Sequence, residues 1–218
     1  MDIFDLIGPI MVGPSSSHTA GAVRIGLVAR KMLGAKPERA EILLHGSFAA
    51  TGRGHGTDRA IVAGLLGMAP DDERIPVSFG CAAEEGLAFE IGDTSLRAAH
   101  PNSVLIRASG GGRSLELIGA SVGGGRIEIR ELNGTPISFT AEHPTVIVKN
   151  EDKPGTVAEV SQILSGLGIN IATFRVSRSS RGGEAVMVIE CDEKVGSEAM
   201  ARIGAIPGVI RAVYVDAI

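Results

Sequence analysis

Residues 13–21 read Gly-Pro-Ser-Ser-Ser-His-Thr-Ala-Gly, three hydroxyls and an imidazole placed just ahead of an apolar run. In that run Ala22, Val23, Ile25, Gly26, Val28, Ala29, Met32 and Leu33 recur at helical spacing, with Arg24, Arg30 and Lys31 on the other face. Ser15, Ser16, Ser17 and Thr19 therefore fall at the start of a helix. Backbone N–H groups there lack intrahelical partners, and the positive end of the helix dipole attracts anions. An N-cap needs one such side chain. Three serines and a histidine exceed that need, and the cluster reads as a site for a carboxylate or a phosphate.

Two more segments place histidine among glycines, hydroxyls and amides. The first runs His45-Gly-Ser-Phe-Ala-Ala-Thr-Gly-Arg-Gly-His-Gly-Thr-Asp58. Gly52, Gly54 and Gly56 alternate with Arg53, His55 and Thr57, which predicts a glycine turn that lets backbone approach a ligand while those side chains point at it. Thr57 or Asp58 is then expected to cap a helix over 57–66 and to offer a second set of free N–H donors. The other is His100-Pro-Asn-Ser103, where Pro101 stiffens a turn and Asn102 both donates and accepts hydrogen bonds. An imidazole near its ordinary pKa can carry a proton, and the amide and hydroxyls can orient a small polar substrate. The segments have no Walker lysine and no dinucleotide fingerprint. The chain has no His pair at i, i+4 on a helix and no GxSxG elbow, which argues against a conventional zinc centre and a serine hydrolase.

These loops need a frame. A short apolar helix is expected over 3–7, ending at Gly8-Pro9, and the helix after the serine cluster closes near Gly34. A buried strand is expected over 40–45, then strands over 104–108, 115–119 and 127–132, the last two joined by Gly123-Gly-Gly125 as a hairpin. A turn at Asn133-Gly134 and a short strand precede a domain boundary near 143–145. Beyond it the pattern predicts a strand over 145–149 and a turn over 150–155. A helix capped by Thr156 follows, with Val157, Val160, Ile163, Leu164 and Leu167 apolar. Strands over 169–177 and 184–191, a helix over 195–203 and a strand over 209–215 complete the order βαββαβ, the ferredoxin-like arrangement. The fold class is thus α+β, with a mixed α/β domain over 1–143 and a ferredoxin-like domain over 145–218.

Composition narrows the function classes. Hydrophobic residues make up 44% of the 218 and charged residues 21%, a globular balance. The net charge of −4 and the lack of a Lys/Arg cluster interleaved with aromatics argue against nucleic acid and anionic membrane as partners. Met-Asp-Ile-Phe-Asp has no basic region leading an apolar one, so no signal peptide is expected and the cytoplasm is the expected location. Cys81 and Cys191 lie far apart and form neither a metal-ligand spacing nor a redox pair.

The C-terminal order, with Asn150-x-Asp-Lys-Pro-Gly155 after the first strand and Gly168-Ile-Asn170 opening the second, resembles the ACT domain family of regulatory modules. That resemblance implies self-association through the ACT domain and makes Asn150 and Asn170 candidate effector contacts. Over the whole chain, the segments 13–21, 46–59 and 100–102 are similar to those of the iron–sulfur-dependent L-serine dehydratase family, whose two-chain members have a beta subunit ending in an ACT domain. The first domain also resembles the allosteric substrate-binding domain of some 3-phosphoglycerate dehydrogenases.

The family implies a lyase that converts L-serine to pyruvate and ammonia through an enamine. A 4Fe-4S cluster acts on the leaving hydroxyl while a base removes the Cα proton. A cluster with an open iron needs three thiolates and this chain has two distant cysteines, so the ligands are expected from a partner alpha chain, without which this chain is inactive. In that picture Ser15, Ser16, Ser17 and Thr19 bind the substrate carboxylate and His18 or His55 carries the proton. Thr57 and Asp58 add substrate contacts, and His100 and Asn102 complete the face toward the cluster-bearing chain. The alternative is a non-catalytic subunit that senses serine as an effector.

Overall fold

The computed structural model describes residues 10–178 and 180–218, and the chain divides into two units at Gly134/Thr135. The helix expected over 3–7 lies outside the described residues. The division falls ahead of the boundary expected near 143–145.

In the first unit, residues Ser16–Gly21 wind as a π-helical turn that runs on into α1 (Ala22–Leu33), closed by Gly34 in the left-handed conformation at φ 63°. The apolar positions of α1 are buried except for half-buried Leu27, while Arg24 and Arg30 reach out to the carbonyls of Gly125 (2.7 Å) and Leu65 (2.8 Å). Then follow β1 (Arg39–His45), α2 (Ser47–His55), α3 (Thr57–Leu66), α4 (Ser78–Glu85) and β2 (Ala88–Thr94). The strands β3 (Ser103–Gly110), β4 (Arg113–Gly123) and β5 (Arg126–Leu132) complete the unit as an antiparallel meander. Within the unit the sheet order is β2-β1-β3-β4-β5, with β2 parallel to β1 and β3 antiparallel to it. The three helices between β1 and β2 are the crossover that a parallel pair requires.

One face of this sheet presents Ile42, Leu44, Val104, Ile106, Leu117 and Ile129, all buried. Helix α1 packs on β3 and β4, and α3 packs along α1. The two helices approach so closely that a β-carbon at Gly64 would stand 2.1 Å from the Val23 carbonyl oxygen, and one at Gly26 would stand 2.4 Å from that of Ile61. Glycine is the residue that permits this crossing.

Two expectations need correction here. The glycine segment after β1 is not a turn: it is helix α2, and its residues do not alternate along an open loop. Burial of Phe48 (0% exposed) offsets the cost of about 1 kcal/mol that each interior glycine carries in a helix. Neither Thr57 nor Asp58 caps α3, because Gly56 (φ 71°) occupies the cap and Thr57 is already inside the first turn. Helix α4 and strand β2 are additional elements.

The second unit, Thr135–Ile218, opens with β6 (Thr135–Phe139). It continues as β7 (Thr145–Glu151), α5 (Thr156–Gly166), β8 (Ile171–Arg178), β9 (Glu184–Cys191), α6 (Ser197–Gly204) and β10 (Val209–Val215). The sheet order β10-β7-β9-β8, antiparallel throughout, is the ferredoxin-like βαββαβ arrangement. Its core holds Val146, Val148, Val160, Leu164, Met187 and Ile189. Gly155 rather than Thr156 caps α5, and Val157 is 41% exposed rather than in the core. Among the described residues no helix is long and apolar enough to cross a membrane.

Candidate active site

The serine cluster does begin a helix, and Ser15 is its cap. Ser15 is extended (φ −143°, ψ 124°), its carbonyl accepts from the Thr19 N–H at 2.8 Å, and its Oγ accepts from the His18 N–H at 3.2 Å. The wide first turn rests on β4: a β-carbon at Gly21 would stand 2.2 Å from Ser121 Oγ. π-Turns inside helices are frequent at functional sites, and this one carries His18. Ser16 and Ser17 are half-buried beside it.

Helix α2 enters from the opposite side. Gly46 turns the chain out of β1 with φ 59° and ψ −121°, and the Ser47 N–H donates to the Pro101 carbonyl at 2.8 Å. The His100-Pro101-Asn102 loop therefore buttresses the start of α2. The same loop is tied to β4, since the Ser121 N–H donates to the Asn102 carbonyl at 2.9 Å.

The elements meet at His18. Its Nε2 lies 3.1 Å from Thr51 Oγ1 and 3.3 Å from Ser47 Oγ, and its Nδ1 lies 3.4 Å from Ser15 Oγ. Phe48 packs edge-on against the ring at 5.2 Å between centroids, and the His55 ring lies 5.1 Å away. Burial first, and the His55 ring second, hold His18 below the ordinary value of 6.5, while the Ser47 backbone pulls the other way. His18 is thus a neutral imidazole at neutral pH, able to accept a proton.

A cavity of about 320 Å³ opens beside His55, lined among others by Gly13, Thr19, Gly56, Arg59 and Ile75. The Arg59 guanidinium sits 5.3 Å over the Phe79 ring and supplies a positive charge in range of an anion there. Thr19 is buried, and its hydroxyl has no protein partner; the same holds for Thr57. The Asp58 carboxylate accepts from the Arg59 N–H at 2.8 Å. A larger hollow of about 600 Å³ on the open face of the sheet holds Glu41, Arg107 and Glu116, but Arg107 already pairs with both carboxylates at 2.8 and 2.6 Å. It contains no imidazole or thiol.

The structure brings together His18, His55, Ser15 and Thr19 from the residues singled out in the sequence, and adds Ser47, Thr51 and Arg59. Thr57 is fully buried in the first turn of α3. His100 is turned onto its own loop, its Nδ1 accepting from the Asn102 N–H at 3.1 Å. His45 likewise accepts at Nδ1 from the Leu96 N–H at 3.2 Å.

No group of three His, Cys, Asp or Glu among the described residues is placed to hold a metal ion. Cys81 is half-buried on α4, and the buried Cys191 thiol is pushed up to about 11 by desolvation. These residues do not fit an iron–sulfur cluster.

In the second unit, Asn150 pairs with Ala185 on β9, whereas Ile171, next to Asn170, pairs with Cys191. Six residues of strand, about 20 Å, separate those positions, so one chain does not join both asparagines in one effector pocket. Asn150 Nδ2 donates to the Glu151 carbonyl at 2.6 Å, and Asn170 Nδ2 donates to Asp192 at 2.6 Å.

Comparison with known proteins adds a second line. A family model described as serine dehydratase beta chain matches residues 2–84, and the ACT domain model matches residues 145–208. The chain is 43% identical over 209 residues to the probable L-serine dehydratase beta chain of Bacillus subtilis, covering 96% of this chain and 95% of that one. It is 39% identical over 215 residues to the L-serine dehydratase beta chain of Peptoniphilus asaccharolyticus, covering 98% and 97%. A shorter match, 34% over 108 residues, joins half of this chain to 20% of the D-3-phosphoglycerate dehydrogenase of Methanocaldococcus jannaschii.

Proposed function

The chain belongs to the L-serine dehydratase beta-chain family, and on that premise we propose that it supplies the histidine half of a composite site that converts L-serine to pyruvate and ammonia. The observation that carries this reading is the His18 ring, held between the hydroxyls of two elements and beside a second imidazole at 5.1 Å. Such a ring is matched to proton transfer near neutral pH.

The substrate carboxylate enters the cavity beside Arg59 and the start of the serine-capped helix, where a guanidinium and free N–H groups favour an anion. His18 or His55 takes the Cα proton as the hydroxyl departs as water. The resulting enamine tautomerises and hydrolyses to pyruvate and ammonia. On this reading an iron–sulfur cluster would be held by a partner alpha chain and would supply Lewis acidity at the leaving hydroxyl. The part of this chain is binding and proton transfer, and its ACT domain mediates pairing.

Calorimetry with L-serine, on the lone chain and on the chain assembled with its partner, tests the proposal. A composite site binds serine weakly alone and turns it over only in the assembly. Tight stoichiometric binding by the lone chain, with assembly turnover untouched by substitution of both histidines, identifies a serine sensor and overturns it.

A further inference from the structure

Thr51 stands on α2 four residues after Ser47, and its hydroxyl donates to the Ser47 carbonyl at 2.8 Å. This is the back-bond that helical Thr side chains commonly make. A hydroxyl has one proton, so with that shorter back-bond made the contact of 3.1 Å between Thr51 Oγ1 and His18 Nε2 runs the other way, with the imidazole donating. A neutral imidazole in turn has one N–H. With the proton on Nε2, Nδ1 is the bare nitrogen, and it faces Ser15 Oγ at 3.4 Å. The Ser15 oxygen already accepts from the His18 backbone N–H, which leaves the hydroxyl proton of Ser15 directed at Nδ1. Ser47 Oγ, 3.3 Å from Nε2, directs its own proton at Thr51 Oγ1, 3.5 Å away, so each donor in the set has an acceptor.

We propose that Thr51 is a positioning residue that fixes the tautomer of His18, with Nε2 protonated and Nδ1 the basic nitrogen turned toward the serine cluster. Thr51 touches no reacting atom on this account. It acts through His18, and its catalytic consequence rests on the reading of His18 as the proton carrier. The tautomer itself does not rest on that reading.

Nitrogen NMR of the His18 ring in the lone chain, above the pH at which the ring titrates, reads the tautomer directly. Wild type is expected to show Nε2 protonated and Nδ1 bare. Thr51 is exposed, so Thr51→Val removes the hydroxyl with little change in packing; it should shift the ring toward the other tautomer, and Thr51→Ser should restore it. In the assembled enzyme Thr51→Val should lower kcat about two- to tenfold, the effect of one neutral hydrogen bond, with KM less affected and Thr51→Ser close to wild type. A wild-type ring protonated on Nδ1, or nitrogen signals unmoved by Thr51→Val, overturns the proposal. If the signals move and kcat does not, the tautomer assignment stands and the role of His18 as proton carrier falls.

Discussion

The rings of His18 and His55 lie 5.1 Å apart and are tilted by 47°. One comes from the π-turn ahead of α1 and the other from the last residue of α2. A positive charge on the neighbouring ring opposes a proton on His18, after burial the second cause that lowers its pKa. The partly buried member, His18, bears the measurable consequence.

His18 is expected to titrate below 6.5 in an NMR pH series, and His55→Gln should move it upward by removing the like charge. The sign for stability follows. The unfolded chain binds a proton on His18 at a higher pH than the folded chain, so this contribution is full above about 6.5. It declines as the pH falls toward the folded value and is absent below it. Denaturant midpoints across that range should fall with acid, less steeply in His18→Gln.

Gly46→Ala should cost on the order of 1–3 kcal/mol. The added β-carbon would stand 2.5 Å from the Pro101 carbonyl oxygen, at a backbone of φ 59° that L side chains seldom adopt. Denaturant unfolding measures the loss. Since Ser47 and Thr51 follow on the same helix, the His18 ring signals should shift as well.

The helix crossing of α1 with α3 should be as intolerant. Gly64→Ala drives a methyl into the Val23 carbonyl, and a cost of about 1–3 kcal/mol is expected from overpacking. Thermal unfolding would register it, with the ACT domain retaining its own secondary structure.

Much of the frame was legible because it rests on short-range periodicity. The stripe from Ala22 to Leu33 gave α1, alternation gave β3 to β5, and the six elements from Thr145 onward gave the ferredoxin-like order. The part of the candidate site that stayed hidden is α2. Gly52, Gly54 and Gly56 made it read as a turn, although a β-carbon at Gly52 would lie 3.2 Å from Thr57 Cβ, so a packing constraint sets that glycine. Once the segment is a helix, Ser47 and Thr51 fall at i, i+4 and share a face. No sequence spacing connects that face to His18. Strand β2 escaped notice because Glu90, Gly92 and Asp93 are poor strand formers, held in place by parallel pairing with β1.

In the second unit, Leu164→Ala on α5 should destabilise the ACT domain by about 2–5 kcal/mol, since the side chain is fully buried. The loss should appear in hydrogen exchange of β7 and β9, with the His18 signals unchanged.

The most direct measurement is kcat for L-serine in the assembly of this chain with the alpha chain proposed as its partner, with His18→Ala compared to wild type. If this chain supplies the proton-transferring histidine of a composite site, the variant should assemble normally and lose about 10²- to 10⁴-fold in kcat, with His55→Ala also impaired. Near-wild-type kcat in both variants would contradict the account.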